Sequence, residues 1–122
     1  MGKRFENLMI WKKSYDLVLQ FYKSKINFPS DEKYGIENQL KRALVSVPAN
    51  IAEGCKRQYV KEFIQFLYIA KGSLSEARFY FMLCRDLDII EIEMWRDFNN
   101  QCNEIERMLE GYIKKLNKSC AK

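Results

Sequence analysis

Apolar residues recur along this chain at alternating steps of three and four. Leu8, Trp11, Tyr15, Val18, Tyr22 and Ile26 follow that rhythm, which lines side chains up on one face of an α-helix. Leu40, Leu44, Val47 and Ile51 form a second stripe. Phe63, Phe66, Ala70, Ser73, Ala77, Tyr80 and Cys84 form a third, and Trp95, Phe98, Cys102, Ile105, Leu109, Tyr112 and Leu116 a fourth. The last two are heptad-like seams, suited to helices that cross at a shallow angle. No run shows the two-residue alternation of a strand. The pattern predicts helices over about residues 8–26, 36–57, 60–86 and 91–118. Pro29 disfavours helix at Phe28, and Ser30 or Asp31 is placed to cap a following turn. Short linkers and the lack of an internal repeat point to one all-α domain over residues 1–122, an antiparallel up-down-up-down four-helix bundle.

One segment interrupts the regularity. "SVPANIAEGCKR", residues 46–57, puts Pro48 inside the second helix and Gly54 near its end. Proline lacks an N–H and crowds the carbonyl four residues back, at about 3 kcal/mol in a helix interior. Either the helix runs through Pro48 with a kink, or a new helix starts near Ser46, with Ser46 as its cap and Pro48 in its first turn. On a helical wheel Arg42, Ser46, Asn50, Glu53 and Arg57 fall within about 80° of one another, beside the apolar stripe. If the helix continues, Asn50 is placed to make polar contacts near the disrupted ladder. "AKGSLSEA" raises a related question. Gly72 in a helix interior costs about 1 kcal/mol relative to alanine. Ala70, Gly72, Ser73 and Ala77 are all small, as helices in close approach require. Glu76 is a candidate partner for Arg42 or Arg57 across helices.

Composition adds exclusions. Hydrophobic residues make up 48% and charged residues 30% of the 122, ordinary for a globular chain. No stretch approaches the roughly 20 apolar residues of a membrane span. The N-terminus lacks the apolar core of a signal peptide and the Ser or Thr of a myristoylation motif, so a soluble, cytoplasmic protein is expected. There is no histidine, which removes triad and histidine acid–base chemistry and the Glu-x-x-His repeats of a di-iron bundle. Cys55, Cys84, Cys102 and Cys120 are too far apart for a metal knuckle or redox pair. No catalytic residue, cofactor or metal is expected. Net charge is +5, and residues 1–29 carry six Lys/Arg against two Asp/Glu.

The quoted segments carry a resemblance. "LMIWKKSYDL", "FPSDEKYGIENQLKRA", "SVPANIAEG" and "KEFIQFLYIAKGSLSE" resemble the small bacterial four-helix proteins encoded by intervening sequences of 23S ribosomal RNA genes. The likeness covers roughly residues 5 to 85, and the fourth segment matches in hydrophobic pattern alone. It implies a bundle that assembles as a ring, a homopentamer. A related branch serves diversity-generating retroelements as accessory proteins that bind nucleic acid and a reverse transcriptase. The family's usual serine before "KEF" is Tyr59 here, which leaves the cap of the third helix open.

Two functions follow as expectations. One is an oligomeric, non-catalytic protein that binds RNA or DNA through phosphates, using Lys3, Arg4, Lys12, Lys13, Lys23 and Lys25 with Lys114, Lys115 and Lys118. Trp11, Tyr15 and Tyr22 are assigned to the core, so no base-stacking platform is expected. The other is a structural module that binds another protein. Ile10, Leu17, Phe21, Tyr68, Ile69, Phe79 and Met82 lie off the core seams and favour a partner or self-assembly surface. Arg42, Ser46, Pro48, Asn50, Glu53, Gly54, Arg57, Gly72, Ser73 and Glu76 are expected to organise helix–helix or subunit contacts.

Overall fold

The computed structural model describes residues 4–120, with the side chains of residues 32–34 outside the description. Four long helices make up the chain: α1 (Met9–Lys23), α2 (Asn38–Cys55), α3 (Val60–Asp86) and α4 (Ile92–Cys120). A 3-10 turn, Phe5–Asn7, precedes α1, and a 3-10 turn followed by one π turn, Lys33–Glu37, leads into α2. No strand occurs among the described residues.

Side-chain pairs fix the direction of each helix against its neighbours. Phe5 and Tyr22 of the α1 side meet Lys56 and Lys41 of the α2 side in that order. Ser46 and Gly54 of α2 meet Ser73 and Phe66 of α3. Phe63, Arg78 and Arg85 of α3 meet Tyr112, Glu106 and Trp95 of α4. Lys13 and Gln20 of α1 meet Glu104 and Gln101 of α4. In every pairing the numbers rise on one helix and fall on the other, so the bundle runs up-down-up-down.

The helix ends follow from local chemistry. α3 stops in a Schellman motif: Ile89 N–H donates to Cys84 O at 2.8 Å and Asp88 N–H to Arg85 O at 3.1 Å. Asp88 takes φ 59°, a left-handed conformation that aspartate tolerates better than most residues. At the other end of α3, Tyr59 occupies the N-cap with extended backbone and no side-chain cap, as its departure from serine implies.

The core corrects two of the helical faces. α2 buries Leu40, Leu44, Val47 and Ile51 as its stripe predicts. α1 does not bury Trp11, Tyr15 and Tyr22. Its inward face is Ile10, Ser14, Leu17, Val18 and Phe21, so Ile10, Leu17 and Phe21 are core residues and not surplus surface. Tyr15 and Tyr22 are 42% and 50% exposed. Turning them outward keeps two phenol hydroxyls in water, whereas burying them needs partners. Ser14, which goes inward instead, gives its hydroxyl to Trp11 O at 3.0 Å. In α3 the seam is Phe63, Leu67, Ala70, Leu74, Ala77, Phe81 and Cys84. Phe66, Ser73 and Tyr80 sit beside it, half-buried. Phe81 stacks on Phe98 with centroids 4.6 Å apart, and Phe21 meets both edge-on. Each such fully buried side chain contributes about 1.5–3 kcal/mol.

Small residues decide how near α2 and α3 come, and their interface is the most extensive in the bundle. A Cβ added at Gly54 would lie 2.6 Å from Phe66 Cβ and 2.9 Å from Phe63 Cδ1. Gly72, expected to serve close approach, has nothing within 4 Å of an added Cβ and lies on the surface. The two glycines therefore predict opposite results in urea unfolding. Gly54→Ala overpacks a fixed contact and loses about 1–3 kcal/mol. Gly72→Ala relieves a helix-propensity cost and gains up to about 1 kcal/mol. Equal effects of the two changes would contradict this geometry.

Candidate functional site

The Pro48 segment resolves as a single helix, since α2 runs through Pro48 unbroken. Pro48 is itself buried, and its missing N–H leaves the Leu44 carbonyl without the usual donor. A polar node forms one turn on. Asn50 Nδ2 donates to Ser46 O at 2.8 Å and to Ser46 Oγ at 2.9 Å. Ser46 Oγ in turn lies 2.8 Å from Ser73 Oγ on α3. The polar stripe beside the core thus joins α2 to α3 through hydroxyls and an amide.

Its charged members behave differently. Arg57, just past the end of α2, pairs with Glu53 of that helix at 2.9 Å and lays its guanidinium 4.8 Å from the centre of the Phe66 ring. That is the ring Gly54 admits, so Gly54 and Arg57 bracket Phe66 from two sides. Arg57 Nε is buried without a hydrogen-bond partner. The pairing of Glu76 with Arg42 or Arg57 does not occur. Glu76 and Arg42 are exposed and make no ion pair among the described residues. Arg42 instead lines a groove of about 410 Å³ with Tyr22, Asn38, Lys41, Val45 and Ser46. Inter-helix ion pairs lie elsewhere: Arg78 with Glu106 at 2.6 Å, Lys13 with Glu104 at 3.0 Å and Lys71 with Glu110 at 3.7 Å.

The antiparallel topology sorts the candidate lysines. The start of α1, the end of α2, the start of α3 and the end of α4 share one end of the bundle. Arg4, Lys56, Arg57, Lys61, Lys114, Lys115 and Lys118 gather there. Glu6 and Glu53 at this end are taken up by Arg4 and Arg57. Hydrogen bonding to its own backbone and to Arg4 lowers the Glu6 pKa, so this carboxylate is charged at neutral pH and its favourable contacts are lost as acid protonates it. Lys56 acts on Glu6 through charge, Glu62 stands beside Lys61 in the first turn of α3 and Glu110 pairs with Lys71. Lys61, Lys114, Lys115 and Lys118 make no ion pair among the described residues, and cations keep the majority at this end. Lys12 is exposed farther along α1, and Lys13 is held by Glu104. Lys23 and Lys25 lie at the opposite end, where Glu37, Asp86, Asp88, Glu91, Glu93 and Asp97 give carboxylates the majority. Lys3 lies outside the described residues. Sequence reasoning passed over Lys56 and Lys61, because only the topology brings them beside the α4 lysines.

Among the exposed apolar residues, one stripe on α3 and one pair of rings on α1 stand together. Tyr68, Phe79 and Met82 form a stripe on α3, 42–52% exposed, with Ile69 next to it at 50%. Phe79 and Met82 share a groove of about 400 Å³ with Arg78 and Trp95 of α4. On α1, Trp11 and Tyr15 stack in parallel with centroids 4.8 Å apart. The expectation that these rings lie in the core is corrected for Tyr15 and Tyr22, which are exposed, while Trp11 is half-buried and packs against the core.

Cysteine chemistry is quiet. Cys55, Cys84 and Cys102 are buried and Cys120 is exposed. Burial pushes the Cys102 thiol up to about 12, which keeps it protonated and a poor nucleophile at neutral pH.

Two predictions follow from these arrangements. Ser46→Ala and Ser73→Ala each lose about 0.5–1.5 kcal/mol in urea unfolding, and the double variant loses less than the sum because one bond is counted twice; strict additivity would contradict the node. In thiol titration the native chain offers Cys120 alone to an aromatic disulfide reagent, and unfolding releases the other three. A second fast-reacting thiol in the native state would contradict the packing.

The chain is similar in structure to a protein of unknown function from the S23 ribosomal protein family of Bacteroides thetaiotaomicron VPI-5482. The TM-score is 0.77 at 27% sequence identity, covering 87% of this chain and 99% of that one. No curated protein matches the chain. The family model for the 23S rRNA-intervening sequence protein matches residues 6–111. With that match over most of its length and the four-helix fold, this chain belongs to the 23S rRNA-intervening sequence protein family.

Proposed function

We propose that the protein is a non-catalytic, self-associating bundle that binds RNA or DNA through phosphates at the end where α1 begins and α4 finishes. The observation that carries this reading is the convergence of Lys56, Lys61, Lys114, Lys115 and Lys118 onto one end, where cations outnumber the carboxylates, while at the other end carboxylates are in the majority. Such a charge gradient orients the molecule before contact and lets lysines replace the counterions of a phosphate chain. A chain without histidine, whose buried Cys102 thiol is held protonated, supports the non-catalytic part.

Self-association draws on the α3 stripe. Tyr68, Phe79 and Met82 recur at heptad-like spacing, and Gly72 and Ser75 between them keep the surface low. A helix of a second copy fits against such a seam at a shallow angle. The family resemblance implies five copies. In a ring of bundles standing side by side, rotation about the common axis puts every basic end on the same face. Many weak phosphate contacts then act together.

Fluorescence anisotropy of a labelled structured RNA at several salt concentrations tests the phosphate reading. Binding is expected to weaken linearly on log–log axes. Lys114→Glu combined with Lys115→Glu and Lys118→Glu is expected to lower affinity about tenfold or more and to reduce the salt slope by about 2–3. Lys23→Glu with Lys25→Glu, at the far end, is expected to do much less. No binding at low salt leaves a structural module whose partner is another protein. Light scattering tests the assembly: Phe79→Asp with Met82→Asp is expected to lower the mass toward the 14.6 kDa of one chain, and an unchanged mass contradicts the α3 seam.

A further inference from the structure

The outward face of α1 carries a second kind of chemistry. Trp11 and Tyr15 are parallel, 11° from coplanar, with centroids 4.8 Å apart. Phe5 meets Trp11 edge-on at 5.1 Å, and Lys56 of the basic end lies 5.7 Å from the Phe5 ring. The rings therefore form a ladder that starts beside Lys56 at the basic end and climbs the side of the bundle. Tyr15 gives one face to Trp11 and is still 42% exposed. Lys12, one turn before Tyr15 on the same side of the helix, is exposed and has no carboxylate partner among the described residues. Asp16 is the one carboxylate of α1. Two turns on, Tyr22 is 50% exposed with Lys41 above its ring at 5.2 Å.

We propose that this ladder is a base-stacking platform, which makes single-stranded nucleic acid the ligand of the basic end. The proposal rests on the phosphate reading above and deepens it. Stacked aromatic rings flanked by cations offer π-faces to unpaired bases of any sequence, while the lysines follow the backbone. A duplex buries its base faces in its own stack and gains only the phosphate contacts. An apolar protein partner has less claim on this face, because Lys12, Lys41 and Lys56 stand beside the rings and the ladder is continuous with the basic end.

The test compares a single-stranded oligothymidylate with a duplex of equal length, at one salt concentration, on the full chain. Tyr15→Ala is expected to weaken single-strand binding about tenfold and duplex binding hardly at all. Tyr15→Phe, which keeps the ring, is expected to restore it. In a Trp95→Phe background Trp11 is the sole tryptophan, and its fluorescence is expected to be quenched by the single strand only. Equal weakening of both ligands by Tyr15→Ala, or of neither, overturns the platform while leaving phosphate binding intact. Failure of the unaltered chain to bind either ligand overturns both readings. A fall in mass of Tyr15→Ala with nucleic-acid binding unchanged assigns the face to a second copy and overturns the platform.

Discussion

The close approach of α2 to α3 at Gly54 sets the position of everything around it. With no side chain there, Phe66 comes against the α2 backbone and Phe63 closes in beside it. Arg57 then covers the outer face of Phe66. Two turns toward the other end, the same separation brings Ser46 within hydrogen-bonding distance of Ser73. Asn50 supports that contact from α2. A wider spacing would break the Ser46–Ser73 contact and take from the Ser73 hydroxyl its partner on α2, at a cost comparable to the bond itself. Serine, asparagine and glycine of this unusual run thus serve one narrow helix–helix seam. Pro48 is buried on another side of α2, and the helix continues through it.

From that seam follows the arrangement of charge. Antiparallel packing puts the end of α2 and the start of α3 beside the start of α1 and the end of α4. Lysines far apart in sequence become neighbours, and carboxylates from the two linkers and the start of α4 collect at the other end. The field of such a molecule has a direction, and an anionic polymer arriving from any side is turned toward one end. The aromatic ladder on α1 begins at that end, so in the proposed binding mode electrostatic capture and stacking would act on the same strand.

How much of this is visible in the sequence depends on how many apolar stripes a helix carries. α2 has a single stripe between polar flanks, and the four residues read from it are all buried, joined by the smaller Ala43, Pro48, Gly54 and Cys55. α1 has two. Trp11, Tyr15 and Tyr22 compete with Ile10, Leu17 and Phe21 for the core, and spacing cannot choose between them. The phenol hydroxyls and the small Ser14 decide it, because only the second set packs without stranding a polar group. α3 is apolar almost all round, so alternate seam positions shifted by one residue, Leu67, Leu74 and Phe81 replacing Phe66, Ser73 and Tyr80. The two helical glycines looked alike in sequence. Helical phase put Gly54 against a phenylalanine and Gly72 against nothing. The basic end was half legible. Lys114, Lys115 and Lys118 stood out as a run, while Lys56 and Lys61 join them only through the fold.

Hydrogen–deuterium exchange, followed by mass spectrometry with and without a short single-stranded oligonucleotide, tests the central claim most directly. The account predicts slower exchange on binding at the start of α1, the end of α2, the start of α3 and the end of α4, with the linker between α3 and α4 unchanged. Protection centred instead on the turn before α2 and the start of α4, at the acidic end, would contradict it.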